Sequence, residues 1–167
     1  MTTRNDLAFT PATADRLEVL QGIREAAFAP IFASFRSILG DEIYELAQAP
    51  QDRGQAGLLA SLVAPGSGWE VYAVEQGQDV IGFLALKLDP DTKVGEIGLN
   101  AVHPEHAGKG VGTAMYEFAL ARMKAAGMRV ATVGTGGDPS HAAARKAYRK
   151  AGFHVEIPSV WMCSRIA

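Results

Sequence analysis

Two side chains in this sequence are placed to move protons. Glu96 lies in an apolar run from Gly95 to Val102, where strand alternation puts it on one face with Gly98 and Asn100, opposite Ile97, Leu99 and Ala101. Gly98 leaves a gap beside that carboxylate, and a semi-buried carboxylate can take a proton as a general base, directly or through water. On a solvated strand face, or in an ion pair, the same group would be inert. Tyr148 lies two helical turns after His141 and one after Ala144, so the three share a helix face, and a small Ala144 lets a ligand pass close. A phenol, with a reference pKa of about 10, is a suitable proton donor to a departing anion. Between these two residues, Gly108, Gly110 and Gly112 thin the backbone just before a helical pattern begins. The unpaired N–H groups of a first helical turn carry partial positive charge, so this place suits an anionic phosphate.

These residues need a particular scaffold. Pro104 ends the strand that closes at Val102, and a helix Gly110 to Ala126 follows, burying Val111, Met115, Phe118 and Ala119, with Gly127 as its C-cap. Met128 to Gly134 is the next strand, parallel to Gly95–Val102 by the right-handed crossover rule. Asp138 or Ser140 then caps a second helix, with Pro139 in its first turn, Arg149 and Lys150 in its last, and Gly152 as its stop. Upstream, Leu7 to Phe9 reads as a strand, and Thr13 or Asp15 caps a helix toward Ala27. Phe28, Ile31, Phe32, Phe35 and Leu39 recur at helical spacing as a core stripe, or in part as a wall over an acceptor. Asp41, Glu42 and Glu45 fall in a second short helix, either attracting a cationic amine or forming a solvated face. Residues 51 to 68 read as a mobile connection with a short helix near Leu58 to Val63. Trp69 to Glu75 and Val80 to Leu88 are strands joined at Gly77 to Asp79, and Phe153–Ile157 with Val160–Ile166 form a closing hairpin around Pro158 and Ser159.

Three phosphate-binding patterns compete for the glycine loop. The P-loop needs GxxxxGK followed by Ser or Thr, and no such run exists. A dinucleotide fold wants an acidic residue about 20 positions after its glycines, whereas Asp138 comes late and fits better as a cap. The remaining pattern, VHPxxxGxGxG from Val102 to Gly112, resembles the GNAT superfamily of acyl-CoA-dependent N-acetyltransferases. A second match supports it: the family's NxxAxxxYxxxGF helix finds His141, Ala144, Tyr148, Gly152 and Phe153 at the same spacing. The resemblance covers roughly residues 7 to 166. It departs at Ala107, where the family usually has Arg or Gln, and at His141, where Asn is usual.

The resemblance implies an α/β (α+β) GNAT fold, a single domain over residues 1–167. Its mixed central sheet would have six to seven strands, helices on both faces, and a splay between the two parallel central strands. It implies that Ala107, Gly108, Lys109, Gly110, Val111, Gly112 and Thr113 cradle the pyrophosphate of coenzyme A. The backbone N–H of Asn100 would polarise the thioester, the Ala101–Val102 strand end would pair with pantetheine, and His141, Ala144 and Tyr148 would line the pantetheine arm. Tyr148 takes the general-acid role, and Glu96, five residues before Ala101, matches the base of histone-type members. Lys109, Arg145, Lys146 or Arg149 is either a contact to the nucleotide phosphates or a solvated helix residue.

The expected activity is therefore transfer of an acetyl group from acetyl-CoA to a primary amine of a small molecule or protein, by direct attack. The alternative from a different class is a non-catalytic acyl-CoA sensor, kept open by Ala107 and His141. A dinucleotide oxidoreductase ranks below both. Composition agrees with a single enzyme-sized domain: 167 residues, 48% hydrophobic, 20% charged and a net charge of −2. A pI near 6.1 supplies no basic field for nucleic acid. The single cysteine, Cys163, cannot pair within the chain, which fits a reducing compartment, and it lies far in sequence from the Gly95–Val102 strand, so no covalent cysteine intermediate is expected. No apolar stretch reaches the roughly 18 residues of a membrane span, and no N-terminal run resembles a signal peptide, so a cytoplasmic location is expected. His103 and His106 have HxxH spacing without a Cys or carboxylate cluster to complete a site, so no metal is expected. A homodimer is expected by analogy with the family alone.

Overall fold

The computed structural model describes residues 6–166. Five strands form one sheet in chain order: β1 (Leu7–Pro11), β2 (Trp69–Gln76), β3 (Asp79–Asp89), β4 (Val94–Val102) and β5 (Val130–Val133). The first four pair antiparallel, and β5 pairs parallel to β4. The helices α1 (Leu17–Leu39), α2 (Asp41–Ile43), α3 (Ala49–Val63), α4 (Val111–Ala125) and α5 (Ala142–Ala151) complete the fold.

Helices cover both faces, because the strands present apolar side chains both ways. On one face Leu20 and Ile23 of α1 and Leu59 and Leu62 of α3 pack on Val71, Ala73, Phe83, Ala85 and Ala101. On the other, Val111, Met115, Ala119 and Met123 of α4 and Tyr148 of α5 pack on Val74, Ile81, Leu84, Leu86 and Ile97. The almost continuously apolar β3 is the strand buried on both sides, as its composition requires.

Three expectations change. The helix after Thr13 does not stop near Ala27 but runs through Pro30 to Leu39, so the aromatic stripe belongs to one 23-residue helix. Residues 51–63 are helical rather than a connection. A π-helical stretch, Tyr44–Gln48, links α2 to α3, and Asp52 is held there by the Tyr44 hydroxyl and the Gln48 amide, both donating at 2.8 Å. Burial, with the Asp52 carboxylate as its hydrogen-bond partner, pushes the Tyr44 phenol up. The sheet has five strands among the described residues, not six to seven, because residues 153–166 form no hairpin and no ladder.

Candidate active site

The glycine loop joins the end of β4 to α4. Gly108 (φ 74°) and Gly110 (φ 88°) both take left-handed backbone, which a side chain would strain, and α4 starts directly after the second. Ahead of them the Pro104–His106 turn is capped by His103, whose Nδ1 accepts the Glu105 N–H at 3.4 Å. A cavity of about 470 Å³ opens from this loop. Asn100, Ala101 and Val102 of β4 form one wall, Gly108, Gly110 and Gly112 the floor, and Ala144, Lys146 and Lys150 of α5 the opposite wall. Phe28 and Ile31 of α1 also line it.

The cavity exists because β4 and β5 part company. Their pairing runs from Val94 with Val130 to Ile97 with Val133 and stops, so β4 from Asn100 onward has no β5 neighbour. Just before that point β4 carries a bulge: Leu84 pairs with Asn100 but Leu86 with Ile97, so that Ala85 of β3 stands against two residues of β4, Gly98 and Leu99. The extra residue reverses the alternation. Ile97 and Asn100 face the α4 and α5 layer, while Leu99 and Ala101 face α1. The expectation that Glu96 and Asn100 share a face is therefore corrected.

The bulge delivers the Asn100 side chain to two tyrosines. Its Oδ1 accepts from the Tyr116 hydroxyl at 2.9 Å, and its Nδ2 donates to the Gly98 carbonyl at 3.0 Å and to the Tyr148 hydroxyl oxygen at 3.1 Å. The rings of Tyr116 and Tyr148 stack with centroids 4.1 Å apart. These bonds use both amide protons of Asn100 and the proton of Tyr116, and set the Tyr148 hydroxyl beside that of Tyr116. Burial first, then the Tyr148 hydroxyl beside it, pushes the Tyr116 phenol far above its ordinary range, so Tyr116 stays protonated and serves to orient.

Residues 33–153 match the Acetyltransferase (GNAT) family. The chain belongs to the GNAT acetyltransferase family. Its fold is shared by the paia N-acetyltransferase of Thermoplasma acidophilum in complex with coenzyme A, at 19% identity over 92% of each chain and a TM-score of 0.70. A Bacillus subtilis acetyltransferase in complex with CoA aligns over 90% of this chain and 77% of that one, at 18% identity and a TM-score of 0.57. An aminoglycoside acetyltransferase from an uncultured soil sample, in complex with sisomicin, covers 98% of each chain at 12% identity and a TM-score of 0.60. No curated protein matches the sequence.

Within this GNAT domain the expected site residues sort themselves. Asn100, Ala101, Val102, Ala107, Gly108, Gly110, Gly112, Thr113 and Ala144 line one cavity. Val111 is buried beneath the loop as the first residue of α4, and Lys109 turns back to donate to the Glu105 carbonyl at 2.8 Å. Tyr148 does not line this cavity: it is buried, bonds Asn100 and lines a separate cleft beside β5. Of the other basic residues, Arg145 donates to the carbonyls of Gly136 and Asp138, and Arg149 pairs with Glu156, which leaves Lys146 and Lys150 facing the cavity.

Glu96 is exposed, its carboxylate makes no hydrogen bond or ion pair among the described residues, and it lies outside the cavity. The space beside Gly98 is not open either: a Cβ there would overlap the Trp69 ring, so the glycine makes room for that indole. Tyr116 and Lys150 were missed. Tyr116 follows Met115 on a buried helix and carries no spacing signal of its own.

His141 does not line the cavity, although its neighbour Ser140 does. Its Nδ1 lies 2.6 Å from Asp138 Oδ1, and its ring stacks on Phe35 of α1 at 5.8 Å. Asp138 also accepts from the N–H and hydroxyl of Ser140, making it the cap that starts this turn. Burial would raise the Asp138 carboxyl, but hydrogen bonds from Ser140 and His141 overcome it and hold the carboxyl below its ordinary value. A carboxyl lowered by folding stabilises above its unfolded pKa, about 3.9, and loses that effect as pH falls through the folded value. Asp138→Ala is thus expected to cost about 1–2 kcal/mol at pH 7. Urea unfolding should show the difference from the parent shrinking below pH of about 4.

Proposed function

We propose that this GNAT chain transfers an acetyl group from acetyl-CoA to a primary amine by direct attack. The observation that carries the reading is the continuous cavity running from the glycine loop and α4 N-terminus to Asn100, which binds Tyr148. An anionic pyrophosphate at a helix N-terminus needs only backbone N–H groups, so Ala107 in place of a longer side chain is tolerated. The two fold neighbours that hold coenzyme A support the choice of ligand.

Bound acetyl-CoA supplies an activated acetyl thioester. The Asn100 backbone N–H and the strand end at Val102 position its carbonyl beside the parted strands, and Phe28 and Ile31 give the cavity an apolar lining. The C–N bond forms as the C–S bond breaks, and the Tyr148 proton passes to the departing sulfur. Glu96 lies on the α1 side of the sheet and takes the amine's proton through water. Glu96→Gln is expected to lower kcat about tenfold at neutral pH. A change below about threefold removes Glu96 from the reaction.

Calorimetric titration with acetyl-CoA, with NAD as the control, tests the reading. Binding near 10 μM or tighter, followed by thiol release when amines are supplied, supports a transferase. Binding without thiol release for any amine supports the acyl-CoA sensor. No binding overturns both.

A further inference from the structure

Asn100 lines the cofactor cavity, and its side chain also bonds the buried Tyr148. A carboxamide has one end that only donates and one that only accepts, so its partners decide which way round it sits. The Gly98 carbonyl only accepts, which identifies Nδ2 as the atom 3.0 Å from it. The bulge makes this contact possible, because Gly98 and Leu99 interrupt the ladder with β3. At the other end of the amide the Tyr116 hydroxyl donates to Oδ1 at 2.9 Å. Held by both partners, the amide aims its second N–H at the Tyr148 oxygen, 3.1 Å away. The row therefore has a fixed polarity: Tyr116 gives to Asn100, and Asn100 gives to Tyr148.

That polarity matters once the Tyr148 proton moves. In the proposed transfer the amine lone pair becomes the C–N bond, the C–S pair goes to sulfur, and the Tyr148 proton follows it to give the free thiol. The O–H electron pair stays on the Tyr148 oxygen, a phenolate until the proton released by the amine reaches it through water. Tyr148 is 6% and Tyr116 4% exposed, so this charge forms away from bulk water. A donor already aimed at an oxygen that becomes negative needs no reorganisation, and it counts for more in such a setting than in water. Tyr116 strengthens it, because donation to an amide carbonyl polarises the N–H groups of the same amide.

We propose that the Asn100 side chain is a positioning residue for the transfer, holding an N–H on Tyr148 to stabilise the phenolate left when sulfur takes the proton. The inference rests on the transfer reading above, and it gives the side chain a task separate from that of the Asn100 backbone N–H. Among the described residues the titratable groups bonded to this amide are Tyr116 of α4 and Tyr148 of α5. β3 sets Leu84 opposite Asn100, α1 brings only Ala27, Phe28 and Ile31 to the cavity, and the cations on the cavity wall are Lys146 and Lys150.

Asn100→Asp keeps the shape of the side chain and makes its polarity depend on pH. As a carboxylate the new group only accepts, so it competes with sulfur for the Tyr148 proton and repels the phenolate; as a carboxylic acid it again accepts from Tyr116 and donates to Tyr148. Burial raises a carboxyl above its reference pKa of about 3.9, which brings the change toward the range of the assay. Thiol release between about pH 5.5 and 9 should give a variant kcat about 10²-fold below the parent at the alkaline end and within about tenfold at the acid end. A variant-to-parent ratio that does not change with pH overturns the proposal. Asn100→Leu gives a second reading that needs no titration: kcat should fall about 10²-fold in the parent and less than about threefold in Tyr148→Phe, where no oxygen is left to stabilise. Equal losses in the two backgrounds mean that Asn100 acts through packing alone, and overturn the proposal as well. Calorimetry with acetyl-CoA accompanies each variant, and affinities within about threefold of the parent are expected. A parent that binds acetyl-CoA but releases no thiol with any amine overturns the transfer reading first, and this inference with it.

Discussion

Replacing Tyr148 by Phe is expected to lower kcat for acetyl transfer by about 10²–10³-fold, with acetyl-CoA affinity kept within about threefold. The ring stays, and with it the 4.1 Å stack on Tyr116 and the edge contact to Phe153, so the core of α5 keeps its packing. What is lost is one hydroxyl, the acceptor of the Asn100 amide and the proton proposed to reach the departing sulfur. Tyr116→Phe makes the comparison. Its hydroxyl donates to Asn100, so its loss frees the amide to rotate and should lower kcat by a smaller factor, about tenfold. Single-turnover thiol release and calorimetry on the two variants separate the roles. Equal rates for Tyr148→Phe and the parent would remove the general acid from the proposal.

The largest expected effect on stability is at Phe83. Its side chain is fully buried in the middle of β3, beneath α1 and α3, in the cluster with Leu20, Leu59 and Leu62. Phe83→Ala removes a ring from a layer whose helices are joined to the sheet on both sides and cannot collapse far into the space. A loss of about 3–5 kcal/mol follows, read as a lower urea midpoint at unchanged slope. A loss below about 1.5 kcal/mol would mean that α1 moves in to fill the void, and that the layer is less rigid than its burial indicates.

Residues whose meaning is local are legible in the sequence alone. A glycine with positive φ ahead of a helix is dictated by backbone sterics, so Gly108, Gly110 and the start of α4 can be read from spacing. The same holds for Ala144 and Tyr148, one helical turn apart. The Asp138 cap follows from the chemistry of a helix start. Strand alternation places Glu96 correctly as far as Gly98 and fails at Asn100, because one extra residue is a property of a pair of strands and leaves no mark in either. The gap at Gly98 is misleading for a similar reason: its occupant, Trp69, comes from β2, 29 positions earlier. Tyr116 is hidden because a tyrosine on a buried helix face looks like packing until its hydroxyl is seen to bond Asn100. The closing hairpin is expected from alternation in residues 153–166, which reports that a segment can be a strand and is silent about which sheet it joins.

The bulge in β4 makes strand pairing, and not only side-chain type, a determinant of this site. Unbroken alternation through the same residues, without the bulge, would turn everything beyond Gly98 by half a revolution. Asn100 would then point into the oily layer under α1, and Ala101 would meet the two tyrosines, although every chemical group needed for transfer was still encoded. Deleting Gly98 or Leu99 would instead remove the extra residue and leave Asn100 on its present face, so the site depends on how the strand is paired and not only on which residues it contains. Conversely, aligning relatives by residue identity alone, without placing that insertion, pairs the wrong amino acids across the reacting centre.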